Sequence, residues 1–137
     1  LPEYGLELKI QKCKVLDVNK AAGVKKMMEE LGIPSANYSA DGQIVLGTPT
    51  GNRQFSIEFV KNKASEVENL ISMLRRKLIQ YPNELLMLLT SCVLPKLTHA
   101  TRVVDPAIVV NNTTSLDSAI RQLILDILGR NRFMEDV

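Results

Sequence analysis

The chain predicts an α+β fold: a small antiparallel strand-rich part over residues 1–53, followed by a three-helix bundle over residues 54–137. Three observations carry this expectation. Apolar and polar residues alternate over residues 6–10, the period of a half-buried strand. The stretch Ile44-Val45-Leu46-Gly47-Thr48-Pro49-Thr50-Gly51 reads as a short buried strand that stops hard, because proline removes a ladder donor and glycine admits backbone angles that other residues avoid. From Phe55 onward the apolar period becomes helical and stays so.

Leu6, Leu8 and Ile10 alternate with Glu7 and Lys9, and Cys13, Val15 and Val18 continue on a less regular rhythm. The polar pair Gln11-Lys12 interrupts the alternation, so two short strands in a hairpin, or one strand with a bulge, are expected. Asn19 is placed to cap a short helix over residues 21–31, in which Val24, Met27, Met28 and Leu31 recur three and four apart. Gly32 ends it and Pro34 prevents its return. A polar loop from Ser35 finishes in the turn dipeptide Asp41-Gly42, which delivers the chain into the Ile44 strand.

In the second half, Val60, Ala64, Val67, Ile71, Leu74 and Leu78, with Leu70 beside them, lay one apolar stripe along a helix of about six turns. Arg75-Arg76-Lys77 closes it. Pro82 suits a first helical turn, where a missing N–H costs nothing. Residues 85–97 are apolar on nearly every face, so they should form the central helix, with Pro95 kinking it near Ser91. Asp105-Pro106 marks a stop and residues 111–115 a polar loop, with Thr114 and Asp117 in a T-x-x-D pattern akin to a capping box. The last helix carries Leu116, Ile120, Leu123, Ile124, Ile127 and Leu128 on one face and ends at Gly129. Neither part looks self-sufficient, since a sheet of two or three strands needs another layer over it. Missing neighbours are therefore expected, and the opening Leu1 suits a piece of a longer polypeptide.

With 45% hydrophobic and 23% charged residues, the chain has the composition of an ordinary globular domain. Aromatics are 4% and tryptophan is absent, which argues against an exposed platform for stacking bases. Cys13 and Cys92 lie far apart and read as reduced, buried, small hydrophobes, the usage of an intracellular protein, nuclear or cytoplasmic. No run reaches the roughly 18 apolar residues of a membrane span. Glu29-Glu30, Glu66 with Glu68, and Glu135-Asp136 read as solvated charges rather than a metal-holding pair. His99 is the only histidine, which excludes a site built from several, and a surface role suits it. The glycines near Leu46 do not have phosphate-loop spacing.

Charge placement says more than the net charge of +2. Between Leu74 and Val104, Arg75, Arg76, Lys77, Lys96 and Arg102 face only Glu84. Such an excess could lie along a phosphate backbone, each contact contributing through counterion release. Arg75 to Lys77 equally complement a helix C-terminal dipole, and the same helices could bind a partner helix.

Taken in order, GLELKIQKCKVL, QIVLGTPTG, a long helix and LLMLLTSCVLPKLTHATRVVDPAIV resemble the downstream portion of retroelement-type reverse transcriptases, particularly those lacking long terminal repeats. In that family a G-L-x-L-N-x-x-K segment follows the catalytic palm motif, L-G-x-P-x-G makes the primer-grip hairpin, and C-x-x-P-x-L-x-x-x-x-R belongs to the thumb. This chain supplies Gly5, Leu6, Leu8 and Lys12 for the first, Leu46, Gly47, Pro49 and Gly51 for the second, and Cys92, Pro95, Leu97 and Arg102 for the third. Lys9 stands where the family usually has asparagine. The aromatic-x-Asp-Asp metal site that the family carries upstream is not in this sequence.

The resemblance implies a palm remnant over residues 1–53 with a primer-grip-like hairpin, and a thumb-like bundle over residues 54–137. Lys12 would be the general acid that protonates departing pyrophosphate, or else a strand-edge lysine that discourages pairing. Leu46, Gly47, Pro49 and Gly51 would shape the grip on the primer terminus. Arg75, Arg76, Lys77, Lys96 and Arg102 would contact the nucleic-acid backbone. The expected partners are a template-primer duplex and the upstream polymerase portion, with no membrane. No cofactor belongs to this chain; magnesium is expected only in the complete RNA-directed DNA polymerase, and the fragment is not active alone. The alternative is a non-enzymatic helical protein-interaction module, retroelement-derived or not, using residues 85–97 or the last helix.

Overall fold

Asn52 opens the helical half, because its side-chain oxygen accepts the Phe55 N–H at 2.8 Å and satisfies one donor that a helix start leaves free. From it runs α2 (Arg53–Leu78), 26 residues long. In this structure, a computed structural model, Gly5 and residues 7–134 are described, with side chains described as far as Gly129. The predicted stripe holds: Val60, Ala64, Val67 and Ile71 of α2 are all buried. They do not serve one core. Ala64, Val67 and Ile71 pack with Leu85, Leu89, Val93, Leu116, Leu123 and Ile127. Val60 instead joins Val104, Ile108 and Val109.

α3 (Pro82–Leu88) carries Pro82 in its first turn, as expected. It passes through a π-helical turn, Leu89–Val93, into α4 (Leu94–Val103). Pro95 accounts for that turn: it has no N–H for the Ser91 carbonyl and its ring crowds that oxygen, so the backbone widens locally and continues. This segment is not the central helix. Leu85, Leu89 and Val93 are buried, but Leu86 and Met87 are 46% and 60% exposed. One side alone leans on α2, and α2 is the central element. Cys92 is exposed and Cys13 only half-buried, contrary to the expectation of two buried thiols; both are free.

Asp105-Pro106 marks a stop, since α4 ends at Val103, and it also starts the next helix. The Asp105 carboxylate accepts the Ala107 N–H at 2.9 Å, and Pro106 is the first residue of α5 (Pro106–Asn112). Asn111 and Asn112 thus belong to a helix instead of a loop. Only Thr113 separates α5 from α6 (Thr114–Met134). Thr113 and Thr114 donate their hydroxyls back to the Val109 and Val110 carbonyls, so Thr114 is the first helical residue and not a cap. Gly129 lies inside α6. A helix-interior glycine costs about 1 kcal/mol relative to alanine, too little to end a helix docked along its length. On α6, Leu116, Leu123 and Ile127 are buried while Ile124 and Leu128 are 40% and 57% exposed.

The first third departs furthest from expectation. Residues 7–9 have no regular structure and Ile10–Lys12 form a 3₁₀ turn; Leu6 lies outside the described residues. Leu8 is 74% exposed, so the alternating face has nothing to pack against. Beyond that turn come β1 (Val15–Leu16), α1 (Val24–Glu30) and β2 (Tyr38–Ser39), with β1 and β2 parallel rather than antiparallel, because α1 reverses the chain between them. Asn19 does not cap α1. Gly23, at φ +93°, precedes it, and the buried Asp17 carboxylate fixes the approach by accepting the Ala21 N–H and the Tyr38 hydroxyl at 3.0 and 3.2 Å. Met28 is buried whereas Met27 and Leu31 are exposed. Asn37 and Gln43 tie the segment together, their amides donating to the carbonyls of Gln11, Cys13 and Val15.

The last two strands, β3 (Gly42–Val45) and β4 (Thr48–Gly51), form an antiparallel hairpin. The fold is therefore mixed helix and strand, but with very short strands. A Cβ at Gly51 would run into the Asp41 carbonyl oxygen and Gly42 Cα, both backbone, and Gly51 holds φ +153°. Gly51→Ala should lower stability by about 2–3 kcal/mol, read as a drop in urea midpoint. Thr50→Ala, on the exposed neighbour, should stay within about 0.5 kcal/mol.

Candidate nucleic-acid interface

The Ile44 strand does not stop at Pro49; it turns back. Leu46 and Gly47 form the turn with φ +50° and +81°, the two positive values that a two-residue hairpin loop requires. Val45 faces Thr48 across the turn, and in such hairpins this first pair exchanges hydrogen bonds while the next, Ile44 with Pro49, does not. The donor that Pro49 lacks is therefore one the pairing never uses. Nor is the strand buried as expected. Ile44, Val45 and Leu46 are 54%, 50% and 96% exposed, and it is Pro49 and Gly42 that pack inward. Gly42 lies under the Phe55 ring, leaving no room for a side chain.

The hairpin rests on α4. His99 Nε2 comes within 3.1 Å of the place a Cβ on Gly47 would occupy, a tight approach at a position whose φ of +81° already favours glycine. Lys96 and Arg102 lie three residues to either side of His99, one turn away along α4. The hairpin turn and α4 thus share one neighbourhood through Gly47 and His99, with Pro49 and Gly51 as the scaffold of the turn and Lys96 and Arg102 further along the same helix. That neighbourhood, and His99 in it, had no signal in the sequence, since residues about fifty apart create it.

Arg75, Arg76 and Lys77 are elsewhere. They end α2, whereas α4 runs back along α2, with Lys96 pairing with Glu66 at 3.6 Å. Arg76 is ten residues beyond Glu66, and Arg102 six beyond Lys96 in the opposite direction. At 1.5 Å per residue the five cations span roughly 24 Å along the bundle, with Lys96 about 15 Å from Arg76. They form no single patch, because Arg75 leaves α2 on the side opposite Glu66, the partner of Lys96. Two of them also have carboxylate partners that spacing along the chain does not assign: Glu66 for Lys96, and Asp126 for Arg75. Glu66 also accepts from Lys63 at 2.9 Å. The Lys63 hydrogen bond and charge, with the Lys96 charge beyond, hold the Glu66 carboxyl below its ordinary range.

Lys12 ends the 3₁₀ turn, exposed, and no described contact joins it to the hairpin. Glu29 and Glu30 are exposed, Glu68 accepts the Ser115 hydroxyl, and Glu135-Asp136 lie outside the described residues. Among the described residues no three of His, Cys, Asp and Glu come together as a group that could hold a metal ion. No described helix is long and apolar enough to cross a membrane.

Leu46→Gly should raise stability by about 1 kcal/mol, by removing the cost of a left-handed leucine, and should be read from the thermal midpoint. Because the folded Glu66 carboxyl titrates low, its contribution is fully present above its unfolded-state pKa and is lost as pH falls through the lower folded value. Urea midpoints near neutrality and at about pH 3 should therefore differ less in Glu66→Gln than in the parent chain. A comparison with protein-family models, curated proteins and solved structures finds no match for this chain.

Proposed function

We propose that this chain is the palm-and-thumb portion of a retroelement-type reverse transcriptase and serves to hold the template-primer duplex, without nucleotidyl transfer of its own. The observation that supports the reading is the hairpin: an L-G turn projecting a leucine that is 96% exposed, with Gly47 set against His99 of α4. The L-G-x-P-x-G segment and the thumb-like C-x-x-P-x-L-x-x-x-x-R segment, separate in sequence, meet at that point. Cations spread over roughly 24 Å and more than one face of α2 suit an extended polyanion better than a compact ligand. Positioning residues of this kind act through backbone phosphates and carry no sequence preference.

Fluorescence anisotropy with an RNA–DNA hybrid duplex should show sequence-tolerant binding that weakens steeply with salt. Removing both Lys96 and Arg102 should flatten the log–log salt slope by about two. No affinity at low salt would count decisively against the reading. The alternative, a helical protein-interaction module, draws on the exposed Leu86 and Met87 of α3 and Leu125 and Leu128 of α6. It expects a dimer in sizing chromatography and indifference to duplexes.

A further inference from the structure

At the far end of the bundle α2 and α6 enclose an open groove of about 670 Å³, whose polar lining is Ser72, Arg75, Arg76 and Asp126 and whose apolar lining is Ile79 and Leu125, with Gly129 between. Two guanidinium-bearing residues and a hydroxyl-bearing one come from α2, while Gly129 adds no side chain that would close the α6 wall. Asp126 is the one acidic residue of the lining. Its Oδ1 accepts the Gln122 amide at 3.0 Å, one turn back on α6, which fixes the carboxylate and turns Oδ2 toward Arg75. The Asp126 side chain is 23% exposed and that of Arg75 51%. Oδ2 is shielded from solvent, yet it makes no hydrogen bond of ordinary geometry among the described residues. The two groups therefore attract as charges without the aligned fork that guanidinium and an oxyanion can form.

We propose that this groove is a binding site for one backbone phosphate of a nucleic-acid strand, and that Asp126 is its built-in competitor, occupying Arg75 until a phosphate displaces it. The proposal rests on the duplex-holding reading and adds a gate to it. A phosphate offers Arg75 two oxygens in bidentate geometry, which the carboxylate in its present position does not. Arg76 and Ser72 stand one turn or less away on the same helix. Each molecule that binds must first separate Asp126 from Arg75, so the carboxylate lowers affinity in proportion to its hold. It also sharpens discrimination, because isolated anions without neighbouring contacts cannot repay that separation.

The test is anisotropy of a labelled hybrid duplex over a salt series, with four chains: the parent, Asp126→Asn, Asp117→Asn and Arg75→Met combined with Asp126→Asn. Asp117 is exposed on α6, so its substitution makes the same charge change away from the groove. Asp126→Asn should tighten binding about three- to tenfold and steepen the salt slope by about one, the count expected for one added phosphate contact. Asp117→Asn should do less, and Arg75→Met should abolish the gain. Circular dichroism and melting of each variant verify that all four are folded. Equal gains from Asp126→Asn and Asp117→Asn, or a gain that survives Arg75→Met, overturn the gate and leave the duplex-holding reading standing. Absence of binding by every chain at low salt overturns both.

Discussion

A single helix has to satisfy two cores at once. Val60 of α2 is closed over by the end of α4 and by α5, while Ala64, Val67 and Ile71 are closed over by α3, the π turn and α6. The packing of either group fixes the same rigid rod, so neither can shift without disturbing the other. The hairpin is attached to the start of that rod. Asn52, which caps α2 with its side chain, donates its own N–H to the Asp41 carbonyl at 2.7 Å, just before β3 begins. The direction in which Leu46 projects is thus set by where α2 starts.

Charge is organised along the same rod. A net charge of +2 conceals cations spread along the bundle, with carboxylates placed against two of them. Exposed pairs of this kind contribute little to stability, on the order of 0–1 kcal/mol. Their larger consequence is for what the cations remain able to bind. Lys96 shares Glu66 with Lys63, and Arg75 faces Asp126, so the surface offered to a polyanion is weaker than a count of basic residues suggests.

The hairpin turn shows the opposite balance. A leucine in the left-handed region is strained, and at 96% exposure it recovers nothing through burial. Its neighbours Ile44 and Val45 are also half exposed, so the tip is an apolar projection rather than a packing element. That cost falls at a position where asparagine or glycine would do better.

Much of the helical half was legible in the chain itself. The stripe from Val60 to Ile71, the first-turn position of Pro82 and the disturbance ahead of Pro95 follow from local periodicity and from the missing proline N–H, which act over a few residues wherever the chain lies. The two positive φ values at Leu46-Gly47, the escape of Leu8 and Ile10 from any strand, the parallel pairing of Val15 with Tyr38, and the short helix at Pro106 were not. Of the candidate interface, the residue types could be named beforehand, but not their grouping. Whether His99 meets the hairpin while Arg75 faces Asp126 depends on which helix faces meet. That is decided by the shape of the apolar cores, to which residues far apart in sequence contribute together, and no local pattern records it.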